Sequence, residues 1–243
     1  MKTKKIVKRV FFILLALLFL FASAFGIYVS NYYHEKQYNN SKIEGSDTIK
    51  ITKHDNYRLY GKENADTGFI FYPGGKVDEK AYEPLLIEIA AKDNVTCVLV
   101  KMPLHLAVFD INAADKVIRN FPNIKKWYIG GHSLGGAMAA SYVQEHTEAF
   151  SGLILLGAYP TKKLPDEFPV LTLYGSNDKV MNKDKYNENK KYAKNLNEYV
   201  IQGGNHAWFG YYGEQKGDEK ATITHEKQWE EVTVQIDKFL RQE

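Results

Sequence analysis

Cysteine is nearly absent from this chain: Cys97 is the only one in 243 residues. No internal disulfide can form, so a folded domain here depends on its core alone. Cys97 sits in Val-Thr-Cys-Val-Leu-Val, where it reads as a small buried hydrophobe. No cysteine stands directly after the N-terminal apolar run, which excludes a lipid-bearing cysteine there. The sequence also lacks H-E-x-x-H and paired cysteines, so no metal is expected. It lacks G-x-x-x-x-G-K-[ST], so no phosphate loop is expected either. No cofactor is implied. Internal repeats and low-complexity tracts are missing as well.

Acid is missing from the N-terminus. Residues 1–9 carry Lys2, Lys4, Lys5, Lys8 and Arg9, and residues 10–29 carry no charge at all. Twenty apolar residues in a helix span roughly 30 Å, the thickness of a bilayer's hydrocarbon core. Basic residues before such a run predict a single-pass membrane anchor with its N-terminus in the cytoplasm and the rest of the chain outside. The alternative is a signal peptide cut near Ala24, because Ala22-Ser23-Ala24 has the form of a cleavage site. The apolar character continues past that site through Phe25, Ile27, Tyr28 and Val29, which favours the uncleaved anchor. Without the five basic residues of the leader, 27 basic residues face 29 acidic ones, a net charge of −2. The basicity belongs to membrane insertion, and no nucleic-acid partner is expected.

Residues 30–47 are polar and rich in Asn, Tyr and Lys, and read as a stalk; residues 48–243 are long enough for one domain with a sizeable core. Residues 49–52 and 57–60 form an expected hairpin around Asp55-Asn56. Short apolar strands are expected at 68–72, 95–100, 126–129, 153–156, 170–174 and 199–201. Helical spacing is expected at 79–92 (with Asp78 as N-cap), 113–119, 134–145, 184–195 and 226–240. The alternation means α/β class: a mainly parallel, twisted sheet with helices on both faces. Residues 161–169 are too few for a separate cap domain. Residues 207–224 form a long aromatic loop.

The chemistry centres on Gly131-His132-Ser133-Leu134-Gly135. An apolar β-type run precedes it and a helical stretch follows, which is the context of a nucleophile elbow. A serine on so sharp a strand-to-helix turn has a strained backbone, and its neighbours two residues away need glycine. A serine hydroxyl needs a general base, and that base needs an orienting carboxylate. In open α/β sheets such groups collect at the carboxyl ends of strands, in the order Ser, acid, His. Asp178 follows the strand at 170–174 in a Gly-Ser-Asn-Asp turn, where a solvated turn aspartate is the plainer reading. Asp166 and Asp184 lie further from strand ends. His206 closes Gly-Gly-Asn-His after the last strand and fits better than His34, His54, His146 or His225. His132, beside the nucleophile, is expected to point elsewhere. For an oxyanion, the Leu134 N–H and an N–H from Gly75, with Lys76 as second choice, are the expected donors.

Five stretches carry a family resemblance: Phe-Tyr-Pro-Gly-Gly-Lys-Val ending at Val77, Val-Lys-Met-Pro ending at Pro103, Gly-Gly-His-Ser-Leu-Gly-Gly-Ala-Met-Ala ending at Ala139, Tyr-Gly-Ser-Asn-Asp ending at Asp178, and Gly-Gly-Asn-His-Ala ending at Ala207. In these the chain resembles the α/β-hydrolase superfamily, and within it the bacterial α/β-hydrolase fold-5 group, lidless relatives of the dienelactone-hydrolase type. The resemblance implies the α/β-hydrolase fold without a cap domain, with Ser133 as nucleophile, Asp178 as acid and His206 as base. Pro73 departs from the wider superfamily, where a histidine often precedes the oxyanion glycine.

The expected function is an extracytoplasmic serine hydrolase cleaving an ester or related acyl bond through an acyl-enzyme. The alternatives are an acyltransferase on cell-envelope material and an inactive binding module on the same fold. Partners would be a small-molecule or envelope-derived acyl substrate, and the membrane through residues 10–29. Tyr159, Trp208 and Phe209 are candidate substrate contacts, with His105, Phe109 and Tyr211 on neighbouring loops; ordinary loop packing is the competing reading. Oligomeric state is not legible.

Overall fold

A computed structural model describes residues 2–61, 65–92 and 95–241; Met1, the head of the basic leader, lies outside the described residues. The chain divides into two units, Met1–Tyr32 and Tyr33–Glu243. The first is a single helix, α1 (Lys2–Ser30). Its large apolar side chains, Phe11, Leu14, Leu18 and Phe21 among them, are exposed. Among the described residues it is the one helix long and apolar enough to cross a membrane, by length and composition.

The second unit is built on eight strands: β1 (Ile51–Lys53), β2 (Tyr57–Tyr60), β3 (Thr67–Tyr72), β4 (Val95–Val100), β5 (Lys126–His132), β6 (Gly152–Leu156), β7 (Val170–Gly175) and β8 (Leu196–Ile201). They form one open sheet in the order β1-β2-β4-β3-β5-β6-β7-β8. β1 and β2 pair antiparallel and the remaining six strands run parallel. The helices are α2 (Glu83–Lys92), α3 (Ala113–Asn120), α4 (Leu134–Val143), α5 (Lys183–Asn189) and α6 (His225–Leu240).

Side chains alternate across the sheet with the period of a strand. Phe69 and Phe71 point into one core with Leu85, Leu86 and Ile89 of α2 and Trp229, Val232 and Ile236 of α6. Ile70 and Tyr72 point into the other with Ala114 and Val117 of α3 and Ala139 and Val143 of α4. Each buried Leu, Ile, Val or Phe among them contributes about 1.5–3 kcal/mol relative to exposure.

Register decides where the site forms. In the parallel pair β3·β5, Tyr72 stands opposite Gly131; in β5·β6, His132 stands opposite Leu156; in β7·β8, Gly175 stands opposite Ile201. The loops after β3, β5, β6, β7 and β8 therefore leave the same edge of the sheet. Residues 157–169 between β6 and β7 contain no helix, in keeping with a fold that has no cap domain.

Three segments differ from expectation. The 79–92 stretch opens as a 3-10 turn (Glu79–Tyr82) whose N-cap Asp78 accepts from Lys80 N–H; α2 then starts beside Pro84, which needs no N–H partner in a first turn. The expected 184–195 helix stops at Asn189, and β8 starts at Leu196 rather than Tyr199. β8 is an edge strand, so Asn197 and Glu198 can be exposed, and Glu198 accepts hydrogen bonds from the Tyr174 and Tyr186 hydroxyls. The third is the polar segment expected as a stalk, which lies on the domain from Tyr33 onward. Tyr33 N–H donates to Lys76 O and Asp78 N–H donates to Tyr33 O, both at 2.8 Å. Tyr33 and Tyr38 pack on the core and Ile43 is buried in it. The few apolar side chains here are widely spaced, so composition alone hides their role.

Candidate active site

Ser133 joins β5 to α4 with φ 51° and ψ −121°, a left-handed conformation that costs a non-glycine residue about 1–3 kcal/mol. The flanking glycines make the turn feasible. A Cβ on Gly131 would meet Tyr72 O at 2.3 Å, and one on Gly135 would meet Pro73 O at 2.2 Å. Ser133 N–H donates to Leu156 O at 2.9 Å, which fixes the turn against β6.

Asp178 and His206 are both fully buried, and His206 Nδ1 lies 2.8 Å from Asp178 Oδ2. The other carboxylate oxygen, Oδ1, accepts from the N–H groups of Val180 (2.9 Å) and Met181 (2.8 Å). Asp178 is thus held as an acceptor on both oxygens, which places the His206 proton on Nδ1. Nε2 is then the nitrogen able to take a proton. It is buried and has no hydrogen-bond partner among the described residues, so Ser133 Oγ is not bonded to it in this structure. Such contacts are often open before substrate arrives.

The loops carrying the pair are cross-tied. Asn177 N–H donates to Gly204 O at 2.9 Å, and Gly203 N–H to Ser176 Oγ at 2.8 Å. Asp218 accepts from Lys179 N–H through Oδ1 (3.2 Å) and from Ala207 N–H through Oδ2 (2.9 Å), linking the residue after Asp178 to the residue after His206. Gln228 of α6 exchanges two hydrogen bonds of 3.0 Å with the Asn205 backbone. Asp218 and Gln228 carry no motif and are far from the pair in sequence, so only the fold brings them in.

Gly75 and Leu134 are brought together: a Cβ on Gly75 would lie 2.7 Å from Leu134 Cδ2. Lys76 N–H is taken by His105 O (2.8 Å) and Gly74 N–H by the Tyr82 hydroxyl (3.1 Å). Of these three successive loop N–H groups, Gly75's alone has no acceptor among the described residues. The Leu134 N–H, at the first position of α4, is likewise without one. Two such donors beside Ser133, at a helix N-terminus, can receive developing negative charge. Lys76, the second choice, has its N–H committed.

His132 does not point away from the site. Its buried ring packs at 4.4 Å (centroid to centroid) on His206. The Tyr82 hydroxyl accepts from Gly74 N–H and lies within hydrogen-bond distance of His132 Nδ1, at 2.8 Å. Burial, and then the neighbouring His206, hold the His132 pKa well below the usual histidine range. A neutral imidazole is therefore fixed between the glycine loop and the base.

The three candidate substrate contacts each pack against another ring. Phe209 is fully buried behind His132, with ring centroids 5.4 Å apart. Trp208 stacks on His225 at 4.0 Å, and Tyr159 stands edge-on to Tyr186 at 6.4 Å. Among the described residues, no group of three or more His, Cys, Asp or Glu is arranged to hold a metal ion.

No curated protein matches the sequence significantly. Solved structures do resemble the fold. Est1E from Butyrivibrio proteoclasticus, with ferulic acid bound, superposes with a TM-score of 0.55 at 17% identity over 82% of this chain and 98% of its own. Thermogutta terrifontis esterase 2, phosphoramylated by tabun, gives 0.54 at 16% identity over 82% and 94%. TT1662 from Thermus thermophilus gives 0.58 at 12% identity over 80% and 99%. The sequence pattern of one family matches residues 68–230, a span that runs from β3 through the Ser133 turn, Asp178 and His206 into α6. By that match and by its open, mainly parallel sheet, the chain belongs to the alpha/beta hydrolase family.

Proposed function

We propose that this protein is a serine hydrolase that cleaves an ester or related acyl bond outside the cytoplasm, tethered by α1. His206 Nε2 takes the proton of Ser133 Oγ as the oxygen attacks the acyl carbon. Asp178 orients His206 and stabilises the imidazolium, and the N–H groups of Leu134 and Gly75 receive the oxyanion. The leaving group departs with the proton from His206, and water releases the acyl group by the same steps. The observation that carries the reading is the buried 2.8 Å His206–Asp178 pair on loops at the same sheet edge as the strained Ser133 turn. The neighbours support it in kind: one is an esterase that reacted with tabun, another an Est1E with ferulic acid bound. The basic leader and the apolar α1 support the tether.

The test is labelling of the full chain in detergent with a fluorophosphonate probe. The expected adduct sits on Ser133 and is lost in Ser133→Ala. A wild-type chain that stays unlabelled and turns over no p-nitrophenyl ester counts against the reading. Added alcohol that diverts the acyl group quantitatively from water identifies a transferase instead. For the tether, the full-length chain belongs in the membrane fraction; a product cut near Ala24 removes the anchor.

A further inference from the structure

Outside α1, four large apolar side chains are exposed among the described residues: Ile51, Leu104, Val108 and Phe109. Three of the four stand within six positions of one loop, the one that follows β4. Leu104 is 48% exposed, Val108 44% and Phe109 50%. Leu104 and His105 both adopt left-handed backbone conformations, with φ 54° and 55°. Three large apolar side chains exposed on one short loop offer an apolar contact surface.

That loop borders the candidate site. His105 O accepts from Lys76 N–H at 2.8 Å, and Leu106 Cδ2 would lie 3.6 Å from a Cβ on Gly75. The same glycine loop is also where the chain enters the domain from α1. Tyr33 forms a parallel bridge with Val77 and is bonded on both sides of it, to Lys76 O and Asp78 N–H. Only Asn31 and Tyr32 separate Tyr33 from Ser30, the last residue of α1. Three Cα–Cα steps reach at most about 11 Å, whatever direction the helix takes. Among the described residues, the polar segment after Tyr33 is itself bound to the domain and is not a free spacer.

Resting on the reading of a tethered serine hydrolase, we propose that the mouth of the site docks on the bilayer that holds α1, with Leu104, Val108 and Phe109 in the interface, and that the scissile ester belongs to an acyl lipid of that bilayer. The lipid's acyl carbon bonds to Ser133 Oγ and its ester C–O bond breaks. The lipid alcohol leaves with the proton that His206 took from Ser133. Water then gives a proton to His206 and its oxygen to the acyl carbon, the fatty acid departs, and Ser133 recovers its proton. The product pair is a fatty acid and a lyso-lipid, both of which leave through the apolar rim.

The experiment uses the full chain in vesicles of equal parts phosphatidylcholine and phosphatidylglycerol. Val108→Cys carries an environment-sensitive fluorophore; Lys125→Cys, 75% exposed at the opposite end of β5, is the control. Cys97 is fully buried and takes no label. The expected result is a blue shift and at least twofold quenching by brominated lipid at 108 and neither at 125. A probe at 108 that stays in water overturns docking. So does a shift that rises with protein density and ignores brominated lipid, since a second copy would then cover the loop. In the activity arm, a 30-residue Gly-Ser insertion between Asn31 and Tyr32 is expected to leave p-nitrophenyl acetate turnover within twofold and to lower turnover of the vesicle phospholipid at least fivefold. Unchanged phospholipid turnover, or none in a wild type that labels at Ser133, overturns the lipid substrate while the hydrolase reading stands. Lipid quenching at 108 in a chain that never labels at Ser133 keeps docking and removes the hydrolase reading.

Discussion

Gly157 lies so close to His206 that a Cβ in its place would stand 2.9 Å from Nδ1 and 3.1 Å from Cε1, with Asp178 Oδ2 at 3.2 Å. Its φ of 53° is also left-handed, where a side chain is unfavourable. Gly157→Ala therefore strains the backbone and pushes the imidazole off its carboxylate. Displacement of a reacting group by an ångström costs on the order of 100-fold. The expected outcome is a fall of about that size in kcat/KM for a short ester, read beside a thermal melt. A lowered Tm with unchanged kcat/KM would mean that the pair is not held by this contact.

The Ser133 turn stores strain that glycine does not feel. Ser133→Ala removes the nucleophile and keeps the Cβ at φ 51°, whereas Ser133→Gly removes both. Both variants are expected to lose fluorophosphonate labelling. Ser133→Gly should be more stable than Ser133→Ala by about 1 kcal/mol, the relief of the left-handed strain less the extra entropy of glycine. Urea unfolding of the two variants checks it, and an alanine variant as stable as the glycine one rules out stored strain.

The Tyr82 hydroxyl joins the Gly74 N–H to His132 Nδ1 and is fully buried. Tyr82→Phe keeps the ring packed on Phe71 and strips both hydrogen bonds. Leaving two buried polar groups unpaired costs about 1–3 kcal/mol for each. Because one of them belongs to the loop that presents the Gly75 N–H, kcat is expected to fall roughly tenfold while KM for a short ester changes little, the pattern of an interaction felt in the transition state. A change confined to KM would place the hydroxyl's effect on substrate binding instead.

These variants also separate what the sequence discloses from what it conceals. Ser133, Asp178 and His206 each come soon after a strand, so strand order and chain order together mark them as candidates. Gly157 offers a faint signal of the same kind, a glycine directly after β6. His132 was legible as a residue but not as a contact, because adjacency to Ser133 says nothing about which ring crosses behind the turn. Asp218 offers no signal at all: its partners Lys179 and Ala207 are 39 and 11 residues away. The segment from Tyr33 reads as polar because each of its anchors is a lone aromatic or aliphatic residue whose partner, such as Tyr212 for Tyr33, is distant in the chain. Periodicity detects an element that buries a face, and these residues bury only points.

Glu88 on α2 ties stability to pH. Burial pushes its carboxyl from 4.5 up to about 7; Glu230 and Glu226 on α6 push the same way and Lys92 opposes them. The folded chain thus binds this proton more tightly than the unfolded chain does. The resulting stability is fully present below pH 4.5 and is lost as pH rises to about 7, beyond which it stays lost. Glu88→Gln keeps the shape and removes the charge. It should match the wild type at pH 4.5 and exceed it at pH 8, by about 1–2 kcal/mol once the group's partial exposure to screening solvent is allowed for. In a domain of this size that is a rise of several degrees in Tm. Thermal melts of both chains at the two pH values decide it: an equal gap at both would trace the effect to packing of the amide and not to the buried charge.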